Sequence, residues 1–285
     1  MDESRARLRS VLFVPGANER ALEKARALRS DALILDLEDA VAPGAKQEAR
    51  QRVRACVASG GYGERVLAIR VNGAGTAWHH DDLRAVAAAA PHAVVVPKIG
   101  SAAEVLEIER LLKAAGAPEK TRIWVMLETP AAVLQARGIA EASERLAVVV
   151  MGTNDLAKEL HAEHASGREP LLTSLSLGVL GARAAGKTIL DGVYNDVRDL
   201  DGFEIECAQG RKLGFDGKTL IHPAQVDICN RVFSPSDDEV EHARRVIEAF
   251  EEAQRAGAGV VTVDGLMIES LHVESARRVL MLANA

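Results

Sequence analysis

The sequence has no surplus of positive charge: 35 Lys and Arg stand against 41 Asp and Glu, a formal net charge of −6. Without a basic stripe, nucleic acid and anionic membrane surfaces are excluded as principal partners. A small anionic substrate is not excluded, because a few local cations and a metal can receive one. Cysteine is scarce as well. Cys56, Cys207 and Cys229 are too few and too scattered for a disulfide framework or a CxxC metal site, and read as reduced, partly buried thiols. No apolar run approaches the ~20 residues of a membrane helix. The charged opening MDESRARLRS leads into a strand and lacks a signal-peptide pattern. The cytoplasm is the expected compartment.

What the chain does have is alternation. Of its 285 residues 48% are apolar, enough for one large α/β barrel or two ordinary domains. Short β-branched runs at Ser10–Pro15, Ala32–Glu38, Val66–Asn72, Ala93–Ile99, Arg122–Glu128, Leu146–Gly152, Ile189–Val193 and Gly217–His222 predict eight strands. They are continuously apolar, as parallel strands covered on both faces are, and each is followed by a helix-like segment. That count predicts a (β/α)₈ TIM-type barrel over residues 1–230, although an open doubly wound sheet has the same periodicity. Capping-box spacing at Ser101/Glu104 and Ser236/Glu239 marks two helix starts, the second helix running to about Ala256. A glycine-containing stretch without helical period follows, and then a last helix over 271–283. Residues 231–285 are expected to form a C-terminal helical extension that covers the barrel mouth or reaches a neighbouring subunit.

One motif is a decoy. Gly181 to Thr188 matches the phosphate-loop pattern GxxxxGK followed by Ser or Thr. That pattern cradles phosphate only when a strand enters the loop and a helix leaves it. Here a helical run enters and a strand leaves, so Gly186 reads as a helix cap.

Barrel enzymes carry their reacting groups at the C-terminal ends of strands. Those ends hold Asp36, Glu38 and Asp39 after strand 2, Arg70 and Asn72 after strand 3, and Lys98 after strand 4. Glu128 follows strand 5, Asp155 strand 6 and His222 strand 8. Five carboxylates and two cations on converging ends are costly as mere structure. Glu128 and Asp155, on adjacent strands and without His or Cys neighbours, suit a hard cation such as Mg²⁺. The alternative makes Asp155 a helix cap and Glu128 an ion-pair partner. Arg70 can grip a carboxylate with two parallel bonds or neutralise Asp36 or Glu38, and both roles can coexist. Lys98 reads as an ion-pairing group, His79 and His80 as surface or capping residues, and His222 as part of a hydrogen-bonded turn.

These residues resemble the citrate lyase β-subunit-like proteins of the HpcH/HpaI aldolase and malyl-CoA lyase superfamily. The resemblance rests on RSVLFVPG (9–16) with Arg20, LDLEDAV (35–41), IRVNG (69–73), VVPKIGS (95–101), LETP (127–130), GTNDL (152–156), LDGVYND (190–196) and GKTLIHPAQV (217–226). It implies a barrel assembled as a homotrimer or hexamer, with Mg²⁺ on Glu128 and Asp155 and the oxo-acid part of the substrate on Arg70. It further implies that Phe13, Pro15, Arg20 and Lys218 bind the coenzyme A or acyl-carrier arm. The implied reaction is cleavage of a malyl-, methylmalyl-, citramalyl- or citryl-thioester to an acyl-thioester and a 2-oxo acid. Alternatives are a thioesterase on the same site, a non-catalytic oxo-acid or thioester binder, and an aldolase acting on free hydroxy acids. Arg70, Glu38 and Glu269 are the catalytic candidates. The Met267-Ile268-Glu269 segment departs from the family pattern, which has Asp at the last position, donated across a subunit boundary.

Overall fold

The computed structural model describes residues 7–163, 165 and 167–284. Eight parallel strands close into one barrel: β1 (Ser10–Pro15), β2 (Ala32–Asp36), β3 (Val66–Arg70), β4 (Ala93–Val96), β5 (Arg122–Leu127), β6 (Leu146–Met151), β7 (Thr188–Asp191) and β8 (Gly217–Leu220). β1 pairs with β8 through Val11 and Thr219, so no sheet edge is left open. Closure decides between the barrel and the open sheet in favour of the barrel.

Strands β2 to β8 stop earlier than their apolar runs suggest. β2 ends at Asp36 rather than Glu38, β3 at Arg70, β5 at Leu127 and β6 at Met151. The polar residues therefore sit at the last strand position or in the turn just beyond, where the ladder ends and side chains can converge. Side-chain alternation does the rest. Val11, Ile34, Ala68, Trp124, Met126, Val148 and Val150 form one buried cluster with Phe13 packed against it. Continuing each row in steps of two leads to Pro15, Asp36, Arg70, Glu128 and Gly152. The face that packs the core below carries the polar site above.

Helices surround the strands, among them α1 (Glu19–Ala25), α2 (Lys46–Ser59), α3 (His79–Ala89), α4 (Ala102–Ala114), α5 (Pro130–Leu134), α6 (Ala136–Glu141), α7 (Thr153–Glu159), α8 (Leu172–Ala184), α9 (Leu200–Leu213) and α10 (Val226–Val232). α4 starts on Ser101, whose side chain accepts from Glu104 N. In the decoy, α8 enters, Gly186 turns the chain at φ +66°, and β7 leaves. That order is the reverse of a phosphate loop.

The described residues divide into two compact units between Asn230 and Arg231. In the smaller one, α11 (Asp237–Arg255) opens on a complete capping box between Ser236 and Glu239 and packs on α12 (Ser270–Asn284). Between them lies an antiparallel hairpin, β9 (Val261–Val263) and β10 (Leu266–Ile268). Asp264 and Gly265 form its two-residue turn, both with positive φ. Asp-Gly between Val-Thr-Val and Leu-Met-Ile is a strong hairpin signal, and it explains the absence of helical period there.

Candidate active site

A cavity of about 390 Å³ opens at the C-terminal ends of the strands. Phe13 and Pro15 of β1, Asp36, Arg70, Glu128 and Asp155 are among the residues that line it. With Asp39, seven positions singled out from sequence therefore meet in one space, whereas Glu38 is not among the lining residues.

Arg70 is its fixed positive charge. Nε and Nη2 donate to the two Asp36 oxygens at 2.6 and 2.7 Å, while Nη1 lies 3.0 Å from Glu38 Oε2. The Phe13 ring lies against the guanidinium, 4.7 Å from its carbon to the ring centroid. Burial alone would lower the Arg70 pKa, but Asp36, Glu38 and Asp39 outweigh it and hold it above its ordinary value. The side-on fork is thus committed to Asp36, and Nη1 is turned toward Glu38 and Asp39. Asp36 is a hub, accepting in addition from Glu38 N at 2.9 Å and Ala40 N at 3.1 Å.

The carboxylates opposite are under-compensated. Burial pushes the Glu128 carboxyl up to about 8, with Glu38 and Asp155 adding to the shift against the Lys98 amide and Arg70. Burial likewise pushes Glu38 up to about 7, with Arg70 opposing and Asp39 adding. Glu128 Oε1 accepts from the backbone N–H of Lys98 at 2.6 Å, an amide aimed by the left-handed turn at Lys98 (φ 56°). The Lys98 ammonium stands 3.5 Å from Glu38 Oε1. Asp155 sits in the first turn of α7, where Gly152 rather than Asp155 is the cap.

These residues fit a divalent cation. Glu128 and Glu38 are held protonation-prone by burial and by neighbouring carboxylates, and a nearby cation would reverse that. Gly152 leaves the room that Glu128 needs, since a β-carbon there would lie 2.5 Å from Glu128 Oε2. Among the described residues no group of three or more His, Cys, Asp or Glu forms an all-protein metal cage. A Mg²⁺ site does not need one, because that ion takes one or two carboxylates and completes its octahedron with water and substrate oxygens.

Other expectations fall differently. Lys218, expected at the thioester, is fully enclosed, with Nζ 2.9 Å from Asp191 Oδ2 and 2.8 Å from Glu206 Oε1. Arg168 Nη1 completes the cluster at 2.7 Å from Asp191 Oδ1. A buried ammonium needs such partners, and the register pairs Asp191 directly with Lys218 across β7 and β8. Arg20 is exposed in the first turn of α1, outside the residues lining the cavity. His79 is buried rather than superficial, its Nδ1 2.7 Å from Asn72 O. His222 caps the turn at Pro223 through Ala224 N. Glu269 lies in the smaller unit, where its carbonyl accepts from His272 N and Val273 N at the start of α12.

A family model for HpcH/HpaI aldolase/citrate lyase matches residues 9–223. The chain belongs to that family. A second model, for a C–C bond lyase of the TIM-barrel fold, matches residues 171–285. A (3S)-malyl-CoA thioesterase from Cereibacter sphaeroides is 50% identical over 277 residues, covering 97% of this chain and 95% of that protein. The citrate lyase subunit beta of Escherichia coli is 39% identical over 281 residues, covering 96% and 93%. Among solved structures, CitE from Mycobacterium tuberculosis in complex with magnesium, acetoacetate and coenzyme A superimposes with a TM-score of 0.81. It is 31% identical, with 97% of this chain and 98% of that one covered. Membership of a family of citrate lyase β subunits and related lyases agrees with the barrel and its cavity.

Proposed function

We propose that this family member is a Mg²⁺-dependent carbon–carbon lyase that cleaves a 3-hydroxyacyl-CoA of malyl type to an acyl-CoA and a 2-oxo acid. The observation that carries this reading is the cavity that Arg70, Glu128 and Asp155 line together, with Glu38 held 3.0 Å from Arg70 Nη1. Glu128 and Asp155 would hold the ion, and magnesium accompanies coenzyme A in the CitE complex. When bound there, Mg²⁺ would supply Lewis-acid stabilisation for the hydroxyl and carboxylate oxygens of the substrate.

The chain's own groups do the remainder. Arg70, fixed by Asp36 and backed by Phe13, places positive charge beside the oxygen of the forming 2-oxo acid and does not reorganise as charge develops. Glu38, a buried carboxyl held between Arg70 and the Lys98 ammonium, is the candidate for moving a proton. Phe13 and Pro15 line the cavity on the β1 side, and exposed Arg20, on the helix that follows β1, would receive the anionic part of a CoA or acyl-carrier arm. Glu269 from a neighbouring subunit of a homotrimer or hexamer would protonate the departing enolate carbon. The cytoplasm suits such a CoA-linked reaction.

Hydrolysis is the second reading, favoured by the relative named (3S)-malyl-CoA thioesterase. Water would then attack the thioester carbonyl in the same cavity. Purified protein with Mg²⁺ and malyl-, β-methylmalyl-, citramalyl- and citryl-CoA decides between them. Acetyl- or propionyl-CoA with a 2-oxo acid identifies the lyase. Free CoA with the intact hydroxy acid identifies the thioesterase. Oxo-acid binding without turnover of any of the four leaves a binder and ends the enzymatic reading.

A further inference from the structure

Beside the turn that follows β2 lies a buried charge to which the reaction assigns no task. Lys46, the first residue of α2, is only 6% exposed. Its ammonium donates to Leu37 O at 2.8 Å, to Glu38 O at 2.7 Å and to Asn72 Oδ1 at 2.7 Å. An ammonium has three N–H donors, and here all three go to neutral oxygens. The Trp78 ring covers the nitrogen at 5.1 Å from its centroid.

Two features make this a poor way to gain stability alone. Burying an ammonium without a directly bonded carboxylate is costly. A cation at a helix N-terminus also opposes the helix dipole. What the arrangement does achieve is geometric. Leu37 O accepts from both Lys46 and Asn72 Nδ2, the latter at 2.9 Å, and Asn72 is itself held by Asp82 at 2.6 Å. On the other side, Asp36 takes the N–H groups of Glu38 and Ala40. The Glu38 peptide is therefore fixed at its N–H by Asp36 and at its C=O by Lys46. Its carboxylate is left between Arg70 and Lys98.

We propose that Lys46 is a positioning residue: it fixes the 36–40 turn so that the Glu38 carboxylate lies against Arg70, which lines the cavity. The catalytic consequence rests on the lyase or thioesterase reading above, whereas the positional consequence does not.

The test combines kinetics with structure. K46M, E38Q and the double variant are compared with the parent on whichever thioester is turned over, with melting temperature as a control. A misplaced group costs up to about 100-fold, so K46M is expected to lower kcat about 10- to 100-fold with KM within about twofold. The double variant should be no slower than E38Q. Losses that multiply in the double variant, or a loss confined to KM, overturn the proposal. K46Q, which keeps one amide donor, repeats the cycle should K46M fail to fold. Crystals of either variant decide the position independently: a Glu38 carboxylate displaced from Arg70 supports the proposal, and an unmoved one overturns it. Should E38Q run at the parent rate, Glu38 leaves the reaction, and the crystal comparison alone decides the positioning.

Discussion

Gly152 and Glu128 occupy complementary space: a β-carbon at position 152 would stand 2.4 Å from Glu128 Cβ and 2.5 Å from its Oε2. Gly152 has φ −97°, so room for the neighbouring carboxylate, rather than a left-handed backbone, demands the glycine. Leu127 and Met151, one residue earlier, are register partners, which brings the two turns side by side. Gly152→Ala is therefore predicted to drive Glu128 off the Lys98 amide. Overpacking of this kind costs about 1–3 kcal/mol of stability. Mn²⁺, used as a spectroscopic substitute for Mg²⁺, should bind at least about tenfold more weakly, a loss of ~1.4 kcal/mol. Parent-like Mn²⁺ affinity by electron paramagnetic resonance would remove Glu128 from the ion site.

A pH prediction follows from the two raised carboxyls. Glu38 is pushed up to about 7 and Glu128 up to about 8, from an ordinary value of 4.5. Between the ordinary and raised values the folded protein binds more protons than the unfolded chain, so stability falls as pH rises. The stabilisation is complete below about pH 4.5 and is lost through pH 7 to 8. Asp191 is depressed and Lys218 raised, so neither titrates in this window. Metal-free protein should lose about 1 kcal/mol or more per pH unit between pH 5.5 and 7.5. Glu128→Gln should flatten the profile, and millimolar Mg²⁺ should oppose the decline because it favours the ionised form. Calorimetry without metal that shows flat or rising stability over this range contradicts the assignment.

Lys218→Met separates a structural role from a binding role. The ammonium is fully buried between Asp191 and Glu206, and removing one partner of such a cluster costs about 3–5 kcal/mol. The variant should melt far lower than the parent, while the fraction that stays folded keeps its KM for thioester. A raised KM at parent stability would return Lys218 to the substrate.

Much of this was legible in the sequence, and the limits have physical causes. Eight continuously apolar runs, each followed by a helix, express a sheet covered on both faces, and the closing β1–β8 pair confirms what periodicity alone left open. The cavity carboxylates and Arg70 were legible because charge at the end of an apolar strand is rarely accidental. The Asp191–Lys218 pair was missed although the signal existed: opposite charges on neighbouring strands pair as readily as they catalyse. Lys46 gave no signal, because its three bonds go to two backbone carbonyls and an amide rather than to a charged partner. The β9–β10 hairpin was signalled by Asp264-Gly265 but obscured by its short, exposed strands.

Glu269 stands where the resemblance implies an Asp. Its backbone carbonyl begins α12 and its N–H donates to His272 Nδ1 at 3.0 Å. Those backbone bonds do not depend on the side chain, so Glu269→Gln should leave folding and melting temperature unchanged. If the carboxyl moves a proton at the enolate carbon, kcat should fall about 10²- to 10⁴-fold with little change in KM. Glu269→Asp, one methylene shorter, should retain more activity than the Gln variant because the acid survives and only its reach changes. Donation from a neighbouring subunit adds a sharper consequence. Subunits carrying Glu269→Gln have an intact cavity, and subunits carrying Glu128→Gln have an intact Glu269. Neither is active alone, yet oligomers refolded from a mixture contain some complete sites. Recovered turnover in the mixture places Glu269 in its neighbour's cavity, whereas a mixture as inactive as its parts, with full mixing verified by mass spectrometry, denies it that role.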